Sequence, residues 1–135
     1  MDQVTVHVEA DVNPTESEEK VKKALWNLFG DLPMQSKPVH KGNVLTAETK
    51  GLETLSTLRN VLRRDRIRDA SRKALYAGLN EEGVTFYLNK QVAFVGHVSF
   101  SEAMAESPLG PIKVIVQSEN PRELIDWLAP RTTKT

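Results

Sequence analysis

The stretch VTVHVEADV, residues 4–12, alternates without interruption: Val4, Val6, Val8, Ala10 and Val12 fall on one side, Thr5, His7, Glu9 and Asp11 on the other. Successive side chains of a β-strand point to opposite faces, so this is a strand with one face against a core and the other in water. A sheet of such strands needs helices on its apolar side only. The next stretch, NPTESEEKVKKALWNLFG (13–30), supplies one. Thr15 followed by Glu18 fits a capping box, Glu16, Glu18 and Glu19 suit the positive helix start, and Gly30 suits the position past the helix end. Val21, Ala24, Leu25 and Leu28 form its apolar stripe.

Pro33, Pro38 and Gly42 make residues 31–42 read as a loop, and Val44 to Lys50 as a second strand. From Leu52 to Leu79 the pattern is helical but changes phase. Leu55, Leu58 and Leu62 share one arc, while Ile67, Ala70, Ala74 and Ala77 share another, which predicts a kink or break near Arg64 to Arg66. Residues 83–100 read as a hairpin, with Val84, Phe86 and Leu88 facing Gly96, Phe94 and Val92 across a connection of Asn89, Lys90 and Gln91. Thr85, Tyr87, Ala93, Val95 and His97 would then share its other face. After a loop with Pro108, Gly110 and Pro111 comes a strand on Ile112, Val114 and Val116. The last helix is capped by Asn120, opened by Pro121, buried through Leu124, Ile125 and Leu128, and ended by Pro130. The order β-α-β-α(α)-β-β-β-α implies an α+β fold: one domain over residues 1–135, with a single largely antiparallel sheet and helices packed on one face. Only the tail from Thr132 is expected to be mobile.

The chain has 135 residues and no cysteine, so no disulfide or thiolate metal site is available, as suits a reducing cytoplasm. No apolar run approaches a membrane span, and no leader pattern opens the chain. His7, His40 and His97 are scattered and lack ligand spacing, so neither metal nor cofactor is expected. The row of His7, Glu9 and Asp11 reads as the wet side of a sheet, and no nucleophile elbow or phosphate loop is present.

The formal charge is zero, with 18 basic and 18 acidic residues, but the distribution is uneven. Between Arg59 and Lys73 stand Arg59, Arg63, Arg64, Arg66, Arg68, Arg72 and Lys73 against only Asp65 and Asp69. Guanidinium groups pair bidentately with phosphates, and an exposed row of them tracks a nucleic-acid backbone with little sequence preference. Arg64, Arg68 and Arg72, spaced i, i+4, i+8, are expected to point into solvent opposite the second apolar stripe. The plainer reading is a solvated helix face in which Asp69 reaches Arg66, Arg72 and Lys73. Lys90 is an accessory phosphate contact, and Tyr87 and His97 are stacking candidates. Phe94 and Phe100 of AFVGHVSF read as packing groups instead of an RNA-recognition-motif strand, whose basic-glycine opening is missing.

Four strings, NPTESEEKV, FYLNKQVAFVG, SPLGPI and IDWLAPRT, spread over nearly the whole chain, are similar to those of an archaeal family of small proteins filed as RNA-binding. The resemblance implies the antiparallel sheet and packed helices of the large-subunit ribosomal protein that docks the small ribosomal RNA, the ribosomal-protein-L-five-like fold. It brings no catalytic residues. The leading expectation is a non-enzymatic protein that binds RNA through the arginine-rich bent helix. A homo-oligomeric interaction module, such as a homodimer, is the alternative, and an enzyme acting on a phosphorylated small molecule the third.

Overall fold

The computed structural model describes residues 3–101 and 110–131. Pro108 of the expected loop and the tail from Thr132 lie outside the described residues. Along the chain run β1 (Val4–Val12), α1 (Glu18–Phe29), β2 (Gln35–Pro38), β3 (Asn43–Lys50), α2 (Glu53–Arg64), α3 (Arg68–Ala77), β4 (Gly83–Leu88), α4 (Lys90–Phe94), β5 (Phe100–Ser101), β6 (Ile112–Ser118) and α5 (Pro121–Leu128). The strands form one antiparallel sheet in the order β2-β3-β1-β6-β4-β5.

The alternation of β1 sets the two faces. Val4, Val6, Val8, Ala10 and Val12 are buried, while Thr5, His7 and Glu9 are partly buried and Asp11 is exposed. The same rule carries across the sheet: Val8 lies opposite Ala47 on one side and Val114 on the other, and Val114 opposite Phe86. Leu25, Leu28, Leu55, Leu58, Leu62, Leu124, Ile125 and Leu128 of the helices bury themselves on that apolar side. Removing such side chains from water is the main driving force of the fold. On the open face Glu9 stands between Thr46 and Lys113, and Lys113 beside Tyr87. At Gly83 a side chain is impossible, because a Cβ would lie 1.8 Å from the Val116 carbonyl oxygen.

Four expectations change. First, residues 83–100 are not a hairpin. Asn89 accepts a hydrogen bond from the Val92 backbone N–H and caps α4, so the chain turns into a helix after β4. β4 pairs along its length with β6, and only its last two residues meet the short β5, Tyr87 opposite Ser101 and Leu88 opposite Phe100. Buried Lys90 and Ala93, three apart, form the inward side of α4, and Val95 and His97 are exposed beyond its end. Tyr87 and His97 therefore do not share a sheet face. Second, α1 is capped by Ser17, which accepts from the Lys20 N–H, instead of by Thr15. Third, residues 35–38 form an edge strand against β3 within the expected loop. Fourth, the buried positions of α3 are Ser71 and Leu75, with Ala70 and Ala77 exposed. The Ser71 hydroxyl donates to the Ile67 carbonyl at 2.7 Å, which satisfies it inside.

Candidate nucleic-acid interface

The helical break falls where the change of phase places it: α2 ends at Arg64 and α3 begins at Arg68. At the turn, Arg66 has φ 57, the one non-glycine residue with positive φ among the described residues. Bulky L-residues visit this region rarely and at a cost. The turn is tied down by Asp65. Its carboxylate accepts the Val98 N–H at 3.2 Å and the Arg64 Nε at 3.2 Å, and it meets His97 Nδ1 at 3.1 Å. Burial pushes the Asp65 carboxyl up, but these hydrogen bonds from His97, Val98 and Arg64 outweigh it and hold the group below its ordinary 3.8.

The seven bases of the stretch divide into those committed to the protein and those left to solvent. Arg59 donates from Nε to the Trp127 carbonyl at 2.8 Å and lies over the Trp127 ring. Arg72, with its side chain only 12% exposed, donates to Asp126 at 2.7 Å and to the Ala129 carbonyl at 3.1 Å, and lies over the Tyr76 ring. Both guanidiniums thus pin α5 to the α2–α3 pair. Arg64 stays exposed but is tied across the surface, donating to the Gly96 carbonyl and pairing with Asp65. The expected solvent row of Arg64, Arg68 and Arg72 does not form, because the break puts Arg64 on a different helix and α5 captures Arg72.

Arg63, Arg66 and Arg68 remain. They surround a hollow of about 610 Å³ whose other walls are Ile67, Asp69 and Ala70, the first turn of α3. Among the described residues none of these three guanidiniums makes an ion pair or side-chain hydrogen bond. That helix start has no side-chain cap, so its backbone N–H groups add to the positive field. Lys73 is exposed one turn further along α3. Three arginines around a helix N-terminus present the donors and charge that a phosphate group requires.

Lys90 is elsewhere and is committed. It is 5% exposed and donates to the Asp11 carbonyl at 2.7 Å and to Glu16 at 2.8 Å. Burial works to raise the Glu16 carboxyl, but hydrogen bonds from Lys90 and from the Asn13 backbone and side-chain amides prevail and lower it below 4.5. Tyr87 sits on the open sheet face and His97 at the arginine turn. No group of three or more metal-ligating side chains occurs among the described residues, and no described helix is long and apolar enough to cross a membrane. Sequence reasoning missed Asp65 as the organiser of the turn. The signal was a lone acid at the predicted break, flanked on both sides by arginines.

A family model described as RNA binding matches residues 5–118. The chain is 43% identical over 127 residues to a UPF0201 protein of Sulfurisphaera tokodaii, covering 94% of this chain and 88% of that one. It is 44% identical over 127 residues to a UPF0201 protein of Thermococcus kodakarensis, covering 94% and 90%. The crystal structure of a UPF0201 protein from Methanococcus jannaschii is similar with a TM-score of 0.84 at 35% identity, over 96% of this chain and 95% of that one.

Proposed function

This chain belongs to the family described as RNA binding, the UPF0201 proteins of archaea, and from that premise we propose that it binds RNA without catalysing a reaction, holding phosphates in the hollow of Arg63, Arg66 and Arg68. The observation that carries the reading is the absence of protein partners for these three guanidiniums among the described residues, beside neighbours of the same type that are fully engaged. Three like charges gathered around one hollow, with Asp69 alone among its walls to oppose them, repel one another in the free protein, and an anion relieves that repulsion. Contacts of this kind read the backbone and its shape, with base sequence contributing little.

Binding to a structured RNA should weaken with salt, log K falling by roughly 0.7–0.9 per phosphate contact for each unit of log[salt]. Replacing Arg63, Arg66 and Arg68 together by Ala should shallow that slope by roughly 2–3 and weaken binding at moderate salt by on the order of 100-fold. Filter binding or fluorescence anisotropy across a salt series measures both. An unchanged slope in the triple variant would remove the hollow from the reading.

A further inference from the structure

A second concavity, of about 360 Å³, lies between the start of α1 and α4. Its deep part is formed by buried Val21 and Ala24 together with the half-buried Phe94, and its rim by the exposed Thr15, Lys20 and Gln91. Beneath runs the Lys90–Glu16 pair, which holds α4 against the end of β1 through the Asp11 carbonyl. An apolar recess with a few polar groups at its mouth is the usual form of a site for a small flat ligand. The Phe94 ring carries two cations: Lys20 Nζ is 5.8 Å and Lys23 Nζ 5.6 Å from its centroid.

The recess is joined through the backbone to the Asp65 turn between α2 and α3. Asn27 of α1 donates to both the Ala93 and Phe94 carbonyls at 3.0 Å, which fixes the Phe94 backbone. Two residues on, the Gly96 carbonyl receives Arg64, and His97 and Val98 are tied to Asp65. Phe94 to Gly96 is roughly 7 Å of chain at most, so the backbone that carries the Phe94 ring runs directly into the contacts that hold the Asp65 turn.

Resting on the RNA-binding reading, we infer that this recess takes one unstacked nucleobase of the bound strand, which stacks on Phe94 while Lys20 and Lys23 meet the flanking phosphates. An unpaired base has apolar faces and polar edges, which suit the Phe94 ring and the groups of Gln91 and Thr15 respectively. Aromatic rings are the common platform for bases splayed out of a single strand. The Lys20 ammonium occupies the ring face in the free protein and moves to the phosphate when the base enters.

The test uses the full chain and a short single-stranded oligoribonucleotide carrying one 2-aminopurine, whose fluorescence is quenched on stacking. Wild type should quench it on binding. Phe94→Leu keeps the apolar packing but removes the ring, and should abolish the quench and weaken binding about 10-fold at an unchanged salt slope. Phe94→Tyr keeps a ring and should retain the quench. If Phe94→Leu quenches and binds as wild type does, the recess is not a base site, and the arginine hollow is judged separately by the slope of its own triple variant. If wild type binds no RNA, titration with adenosine monophosphate followed by amide NMR shifts decides. Shifts centred on Ala24 and Phe94 keep the recess as a nucleotide site without the RNA reading, and no shifts there overturn it.

Discussion

Arg59 and Arg72 on one side, and Arg63, Arg66 and Arg68 on the other, come from a single fifteen-residue stretch and share one side-chain chemistry, yet their surroundings differ completely. The first two have an aromatic ring beneath them and a backbone carbonyl in front, and they fasten the C-terminal helix to the rest of the molecule. The other three border a hollow that Asp69 also lines, and among the described residues they form no ion pair. A charge run is thus two devices: cations that hold the fold together and cations that the fold holds out to a partner. The division runs along the helices: Arg59 and Arg63 on α2, and Arg68 and Arg72 on α3, are i,i+4 pairs, and in each the member that reaches α5 is engaged while the member beside the break at residues 65–67 borders the hollow.

Arg72 gives the largest expected effect on the structural side. Arg72→Ala leaves the Ala129 carbonyl without its donor at the end of α5 and strips packing from Tyr76, and should cost about 2 kcal/mol. Arg59→Ala should cost about 1–2 kcal/mol through the Trp127 contacts. Urea unfolding should show a lower midpoint at an unchanged m-value, while RNA affinity below the transition changes less than about threefold. The alanine variants of Arg63 and Arg68 should show the reverse, with stability inside about 0.5 kcal/mol of wild type. If Arg59→Ala and Arg72→Ala weaken RNA binding as much as the hollow variants do, the division into two devices is wrong.

Asp65 stands at the border between the two groups and should give the next largest effect. Its folded pKa lies below the ordinary 3.8, so the stability it contributes is fully present above that value and lost as pH falls through the folded pKa. Glu16, lowered from 4.5, adds to the same acid limb. Asp65→Asn should lower stability at neutral pH by about 1–2 kcal/mol and flatten the loss below the ordinary carboxylate value, leaving the Glu16 contribution. Denaturant midpoints across a pH series from neutral to about 3 check this. An acid limb as steep in Asp65→Asn as in wild type would show that the turn is held by something other than this carboxylate.

The parts of this architecture that the sequence displays are those governed by periodicity. β1, the break between α2 and α3, and the Asn120–Pro121 start of α5 each follow from spacing or capping rules that need no tertiary partner. Residues 90–94 do not. Val92 and Phe94 alternate as a strand would, and only the Asn89 cap and the buried Lys90, which depends on Glu16 over a separation of 74 residues, reveal a helix. Gln35–Pro38 is equally hidden, since all four residues are exposed and an edge strand carries no apolar signature. For the site, the sequence shows where the cations are but not which of them are used internally. That choice is made by Trp127 and Asp126, more than 50 residues away.

The smallest expected effect is the sharpest on the comparison itself. Arg66 is the cradle residue whose backbone is in the left-handed region, at φ 57, where glycine or asparagine would be at ease. If the turn served the fold alone, a side chain at this position would add strain with no return. Arg66→Gly relieves that strain, worth about 1–2 kcal/mol for an L-residue, and gives back part of it as the larger entropy of glycine in the unfolded chain. The net should be a gain in stability of about 0.5 kcal/mol, together with weaker RNA binding and a salt slope shallower by roughly 0.7–0.9. A variant that is at once more stable and less able to bind is the mark of a residue kept for what it meets outside the protein. Arg66→Lys separates charge from geometry, since lysine suffers the same backbone strain and keeps the charge but loses the bidentate fork. It should match wild type in stability and slope while binding a few-fold more weakly. Loss of stability in Arg66→Gly would instead place Arg66 with Arg59 and Arg72, among the cations that hold the molecule together.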